Sequence, residues 1–405
     1  MTAGPQAAEP AADPVVRRMV PRRRDEPHRV ATSLELFFDL CFVVAVAQAG
    51  KQLATALGEG HLRVALFGYL LAFFAVWWAW MNFTWFASAY DCDDVPYRIT
   101  TLVQITGALI LAAGIPRLFL NRDFTLGVLG YVVMRLALVT QWLRAARGES
   151  GPARAMARSY AGGITLVQVG WVLVLLLPNS VIPWVLPLVV IAELSVPAVA
   201  ERRVQSTWHP HHIAERYGLF TLIVLGETVS AATVAVQSGV DEHEALGKLV
   251  AIAVGGLLLC FSAWWIYFAA PIHEHLRSNR QAFLWGYGHY LIFGSAAAIG
   301  AGLEVAVEHA VGQAHISGAA ASAAVTVPGA LYLFTVWLLH SRHGKTGAAQ
   351  WVLPTAAAAV LACTAFGESG VLAAGLVAAA AVALGVWLHA HARPGSPHVA
   401  HASHG

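Results

Sequence analysis

Apolar residues in this chain neither alternate with polar ones nor form a stripe along one helical face. They run on for about 20 residues at a time, the length of a helix crossing a hydrocarbon core of about 30 Å. Twelve such runs are readable, at 32–56, 63–87, 98–116, 124–145, 159–177, 181–200, 213–237, 246–270, 282–308, 318–340, 349–367 and 370–391. The last two are Ala-rich. Connections of about ten residues join them, ordinary for compact helices. Continuous rather than alternating runs argue against a transmembrane β-barrel. The pattern predicts an all-α polytopic membrane protein of about 12 transmembrane helices.

Basic residues orient it. One side collects Arg17, Arg18, Arg22, Arg23, Arg24, Arg29, Arg98, Arg144, Arg147, Arg154, Arg158, Arg202, Arg203, Arg216, Arg277, Arg280, Arg342, Lys345 and Arg393. The other side holds Lys51, Arg63, Arg117, Arg122 and Lys248, with Arg135 left inside a run. Lys and Arg concentrate in cytoplasmic loops, so both termini are expected in the cytoplasm, which requires an even number of crossings. The expected organisation is a disordered basic tail over 1–31, a first six-helix half over 32–200, a second over 201–391, and a His-rich tail over 392–405.

Composition agrees. Of 405 residues 58% are hydrophobic and 12% charged, with mean hydropathy +0.61. A soluble chain carries about 25% charge, so this one lacks the polar side chains to cover a globular surface. A soluble enzyme, a nucleic-acid binder and a disordered scaffold are excluded on that ground. Residues 1–20 lack the apolar core of a signal peptide. Cys41, Cys260 and Cys363 lie within runs and Cys92 in a loop; with no CxxC pair, neither a disulfide framework nor a thiolate metal site is expected.

An ionisable group inside a bilayer costs at least about 2.5–3.5 kcal/mol on insertion scales, so it needs partners and usually a purpose. Here these groups are Glu35 and Asp39 in run one, Arg135 in run four, Glu193 in run six, Glu227 in run seven, and His289 and Glu304 in run nine. Glu35 and Asp39 share one helical face. Counted in from the cytoplasmic side, Glu35, Glu193 and His289 lie in the inner half and Arg135 and Glu227 near the middle, as a polar cavity open to the cytoplasm requires. Two readings compete: a carboxylate–His–Arg chain that binds a proton or cation, or an interhelical pairing of Arg135 with Asp39 or Glu193 that never titrates in use.

The segment Phe74-Ala-Val-Trp77-Trp78-Ala-Trp80 is echoed by Phe261-Ser-Ala-Trp264-Trp265-Ile-Tyr267, with Asp39 and Glu227 at matching distances upstream. Six runs per half preserve orientation, so duplication predicts two parallel repeats with the acidic helices facing each other; chance is the alternative in so restricted an alphabet. The Trp clusters are packing and interfacial residues, or the walls of an apolar substrate path. Ahead of run seven stands His209-Pro-His211-His212-Ile-Ala-Glu215-Arg216-Tyr217, whose His and Glu spacing permits a metal but suits an interfacial anchor better. The same holds for His273-Glu-His275. His389, His391, His398, His401 and His404 make a polar tail better read as solvated than as metal-binding. No Walker, GxGxxG or GxSxG motif occurs, and no cofactor is expected.

The stretch Ser33-Leu-Glu35-Leu-Phe37-Phe38-Asp39-Leu-Cys-Phe42-Val resembles the opening motif of the bacterial low temperature requirement protein A family. So does His212-Ile-Ala-Glu215-Arg216-Tyr217-Gly218-Leu219-Phe220-Thr-Leu-Ile-Val-Leu225-Gly226-Glu227, and Gly286-Tyr287-Gly288-His289-Tyr290 with Gly302-Leu303-Glu304 looks like later family positions. Cys41 stands where the family pattern suggests an aliphatic residue, and the His-rich tail is not part of it. The resemblance implies a multi-pass bacterial inner-membrane protein and marks Glu35, Asp39, His212, Glu215, Arg216, Glu227, His289 and Glu304 as family positions without assigning them a role.

These features are best satisfied by a permease or channel-like transporter, proton- or cation-coupled. Asp39 and Glu227 would be its binding carboxylates, with Glu35, Arg135, Glu193, His289 and Glu304 around them and His212, Glu215 and Arg216 at the cytoplasmic mouth. An integral membrane enzyme acting on a lipid or other apolar substrate is the alternative, and a structural or signalling role without turnover the third. Expected partners are membrane lipids and a small ion or solute, not nucleic acid; the sequence specifies no oligomeric state. The charge map predicts that a reporter fused to the C-terminus reads cytoplasmic; a periplasmic signal would reverse the topology.

Overall fold

The computed structural model describes residues 15–24, 26, 29–241, 245–269, 272, 276, 279–342 and 347–392. Among these there are helices and no strand. A backbone in hydrocarbon must satisfy its own hydrogen bonds, and the helix does so within one segment. The α-helices are α1 Ser33–Gly58, α2 Leu62–Tyr90, α3 Val95–Asn121, α4 Thr125–Gly148, α5 Gly151–Val174, α6 Ile182–Ala200, α7 Pro210–Asp241, α8 Leu246–Phe268, α9 Asn279–Ala310, α10 Gly318–Val336, α11 Val352–Ala362 and α12 Gly370–Ala392. The His-rich tail beyond residue 392, the His273-Glu-His275 stretch and residues 1–14 lie outside the described residues.

Ten helical stretches among the described residues are long and apolar enough to cross a membrane, against the twelve runs of the sequence. Two places make the difference. The first is α5, which does not qualify and carries Arg154 and Arg158 in its first two turns. The second is 352–391, one continuous apolar stretch of 40 residues. It is interrupted by Gly367, whose φ of 56° breaks the helix between α11 and α12. Straight, it would be about 60 Å long, twice a hydrocarbon core. Instead α11 packs against α12, so the chain turns back at the glycine.

Two compact units divide the chain, and their boundaries cut through α1, α2, α3 and α7. The first comprises residues 1–41, 79–111 and 124–213. In it α5 packs between α4 and α6. Close approach of α3 and α4 requires Gly107 and Gly130: a methyl at Gly130 would collide with the backbone of Gly107 and Leu111. The same pair is joined by a buried hydrogen bond from Gln104 Nε2 to Gln141 Oε1 at 3.0 Å, and Gln141 donates in turn to Thr100.

Residues 15–24, expected in a disordered tail, run instead as a strap across the helix ends of this unit. Asp94, in the α2–α3 loop, accepts from the Arg17 backbone N–H at 2.8 Å, from Tyr97 N–H at 2.9 Å and from Arg144 at 2.6 Å. Arg22 N–H donates to Ala89 O and Arg18 to Gly148 O. Met19 is buried against Gly148, where a Cβ would strike its carbonyl. Composition pointed to disorder, but each of these bonds uses the strap's backbone or an Arg terminus, which residue counts do not register.

The second unit comprises residues 42–78, 112–123 and 214–405. Here α9 packs on α10 and α8 on α12. Gly302 sits against the backbone of Ala324, and Gly255 against Val371 and Gly375, so each crossing is made at a residue without Cβ. Tyr69 donates to Gly294 O at 2.6 Å and Tyr290 to Leu70 O at 2.8 Å, fastening α2 to α9. Trp77 and Trp78 are buried against Tyr287 and Tyr290, whereas Trp264 and Trp265 are 45% and 49% exposed. The two Trp-Trp motifs thus resemble each other in sequence and not in environment.

Hydrogen-bonded guanidinium and amides hold the Asp94 carboxyl below its ordinary 3.8, although burial opposes them. A depressed carboxyl stabilises the folded state above its ordinary value and loses that effect as pH falls through the lowered one. Hydrogen–deuterium exchange over residues 15–24, corrected for intrinsic rates, is therefore expected to show protection at neutral pH that fades below about pH 4. In Asp94→Ala that protection should be missing at pH 7; an equally protected variant would mean that Asp94 does not hold the strap.

Candidate functional site

The ionisable residues inside the helices fall into four separate settings. In the first unit, Glu35 and Thr32 form a reciprocal cap on α1: Thr32 N–H donates to Glu35 Oε2 at 2.8 Å, and Glu35 N–H to Thr32 Oγ1 at 3.3 Å. The other oxygen of Glu35 lies 3.1 Å from His212 Nε2 and 3.8 Å from Arg29, which reaches Asp91 at 3.4 Å. Burial, then the Glu35 charge, raise the Asp91 carboxyl above its ordinary range, with Arg29 opposing. Glu35, His212 and Arg216 are all fully buried, and Glu215 half-buried. Glu35 and His212 are thus in close contact at the starts of α1 and α7.

Asp39, one turn further into α1, is also fully buried and accepts from Trp80 Nε1 at 2.7 Å. The Trp cluster thus supplies a hydrogen bond as well as packing surface.

The second setting joins α4, α5 and α6. Arg135 reaches Glu193 at 2.6 Å, both essentially without solvent exposure. Trp171 Nε1 donates to the second oxygen of Glu193 at 2.9 Å and Gln168 lies 3.5 Å from it. Of the two pairings open in the sequence, the geometry selects Glu193 over Asp39. Gln168 and Trp171 also explain how α5, too polar to qualify by composition, packs beside apolar neighbours: its polar side chains face a buried carboxylate.

The third setting is the neighbourhood of His289 in the second unit. Its Nδ1 lies 2.7 Å from Trp285 O and its Nε2 3.0 Å from Tyr267 Oη. A ring nitrogen that meets a carbonyl must donate, which places a proton on Nδ1 and leaves Nε2 facing the tyrosine hydroxyl. Trp285 Nε1 donates to His340 at 3.1 Å, on a π-helical turn Trp337–Ser341. With Tyr217 and Phe293 against the ring, this is a buried aromatic cluster.

The fourth is the one with space. A cavity of about 550 Å³ lies among α1, α7 and α9, entirely within the second unit. Glu227 of α7, Glu304 and Glu308 of α9 and Lys51 of α1 face it, with Ser230 and Gln313; the remaining wall is Ala, Val and Gly. Glu304 lies within the electrostatic reach of Glu308, Lys51 and Glu227. All the helical lining residues belong to the C-terminal halves of their helices, the opposite end of α1 from Glu35. Gly300 matters here, because a side chain at that position would press on the α7 backbone at Glu227.

Of the sequence-predicted site residues, the cavity gathers Glu227 and Glu304. Glu35, Asp39, Arg135, Glu193, His212 and His289 each have close polar partners elsewhere. Lys51 and Glu308 were missed. Glu308 stands one turn after Glu304 on the same face, a visible signal; Lys51 lies within run 32–56 but reads as one of the boundary charges of the less basic side. Among the described residues, no group of three or more His, Cys, Asp or Glu is placed to hold a metal ion.

A multi-pass helical membrane protein is thus the class that fold and buried polar groups define. Comparison places it further: residues 30–389 match the bacterial low temperature requirement A protein family, and the chain belongs to that family. It is also 27% identical over 313 residues to a Rhizobium meliloti (strain 1021) protein described as uncharacterized protein RA0937, covering 71% of this chain and 72% of that one.

The Arg135–Glu193 pair gives a direct test. Removing one partner of a buried pair leaves an uncompensated charge and costs about 3–5 kcal/mol, whereas replacing both by apolar residues costs less. Thermal unfolding in detergent should find Glu193→Leu far less stable than Arg135→Met/Glu193→Leu; equal losses would show that the two groups are not coupled.

Proposed function

We propose that this protein is a proton- or cation-coupled permease or channel-like transporter of the bacterial inner membrane, and that the 550 Å³ cavity is its binding site. One observation carries the reading: three carboxylates and a lysine face a ligand-sized space among the C-terminal halves of three apolar helices. Ion pairing accounts for Glu35 and Glu193, and a tryptophan bond engages Asp39, but Glu227, Glu304 and Glu308 border open space. Carboxylates at bilayer depth that border a cavity mark ion and substrate pathways. Clefts that bind small molecules run from about 300 to 1,000 Å³ and combine apolar walls with a few convergent polar groups.

In this reading Glu227 and Glu304 exchange a proton or small cation, and Lys51 neutralises whichever carboxylate is left ionised. Glu308 sits towards the end of α9 and serves as the entry. The twelve-crossing topology, the cytoplasmic termini and the parallel six-helix repeats belong to the same proposal. The repeats draw support from the lining itself: α1 and α7, the first helix of each half, both contribute to it. The binding carboxylates are then Glu227 and Glu304 rather than Glu227 and Asp39.

Purified protein in proteoliposomes, under imposed pH and sodium or potassium gradients with an internal pH dye, tests this. Flux is expected in the wild type and at least tenfold less in Glu227→Gln and Glu304→Gln. Lys248→Gln, which breaks an exposed pair with Glu368, should leave it unchanged. Flux that survives both cavity substitutions would move the route elsewhere.

A further inference from the structure

Cations in the first unit gather at one end. Arg147 closes α4, Arg154 and Arg158 occupy the first two turns of α5, and Arg202 and Arg203 follow α6. These segments meet: Tyr160 Oη donates to Glu201 at 2.9 Å, Arg154 Nε to Glu149 O at 2.8 Å, and Arg18 to Gly148 O at 2.8 Å. At the other end the α5–α6 connection, residues 175–181, carries no charged side chain.

Arg147, Arg158, Arg202 and Arg203 are exposed, and none has a carboxylate partner among the described residues. The two nearby carboxylates are engaged by hydroxyls, Glu149 by Tyr90 at 3.0 Å, and Glu201 by Tyr160 and by Ser206 at 2.6 Å. Contrast Arg98, which forms a two-bond pair with Asp93 at 2.8 and 2.9 Å. A guanidinium presents a planar fork of N–H donors that matches a phosphate, and it is more weakly hydrated than an ammonium. The positions lie where apolar helices end, which is the level of the lipid headgroups.

We infer that the ends of α4, α5 and α6 form a binding surface for the phosphate headgroup of anionic phospholipids, centred on Arg158, Arg202 and Arg203. The partner is a lipid rather than a soluble anion because the apolar flanks of the same helices accept its acyl chains: Leu166, Val169, Leu173 and Leu188 are exposed on α5 and α6. The surface lies in the first unit and does not depend on the transport reading.

The test is binding of pyrene-labelled phosphatidylglycerol in neutral mixed micelles, read by energy transfer from the protein's tryptophans. Saturable binding is expected, displaced by unlabelled phosphatidylglycerol and not by phosphatidylcholine or inorganic phosphate. Each basic residue near an anionic surface contributes on the order of fivefold in affinity, so Arg158→Gln/Arg202→Gln/Arg203→Gln should bind about a hundredfold more weakly. Arg98→Gln, which removes one charge already paired, should stay within about twofold. An unaltered triple variant, an equal loss in Arg98→Gln, or displacement by inorganic phosphate would each overturn the proposal. If the triple variant loses its helical circular dichroism, Arg202→Gln alone serves: about fivefold weaker binding supports the surface, and none refutes it.

Discussion

A polar group in hydrocarbon has no water to fall back on, and the rest of this structure follows from that constraint. Backbones meet it by being helical from end to end. Side chains meet it by finding one another, and in the first unit almost every intramembrane charge has done so. Arg135 and Glu193, with Trp171 and Gln168 around them, make a small polar core that joins three helices. Asp39 takes the indole of Trp80, and Glu35 is divided between the α1 cap and His212. Such groups orient helices whose apolar surfaces alone would slide, because lipid tails compete equally well for them.

That accounting separates structural ionisable residues from those available for chemistry. The charges around the cavity are spread over α1, α7 and α9, and their carboxylates outnumber the one lysine. Space at that point depends on small residues, with Gly50, Ala231, Ala297, Gly300 and Ala301 forming much of the wall. A polar site and the room to use it are built by the same stretches of helix.

The helical class, the apolar runs and the family membership were legible in the sequence because they depend on local composition and on ordered motifs. Most of the expensive residues, Lys51 and Glu308 excepted, were legible too, since a carboxylate in an apolar run stands out whatever surrounds it. Partner choice was not. The T-x-x-E spacing of Thr32 and Glu35 is a local cap signal that went unread. The count of ten rather than twelve arises where composition and geometry part: α5 with its arginines falls short on composition, and at Gly367, between the runs 349–367 and 370–391, a single backbone conformation folds one long apolar stretch back on itself.

The sequence by itself determined that this chain is built of membrane-spanning helices and which residues are costly to bury. Those properties are sums over neighbours along the chain. Tertiary structure alone decided that Arg135 takes Glu193, that Trp77 and Trp78 are buried while Trp264 and Trp265 are not, that the basic tail is a strap, and that Lys51 joins Glu227 and Glu304 at one cavity. Each depends on which faces of distant helices meet, and a helix presents every face to its own sequence equally.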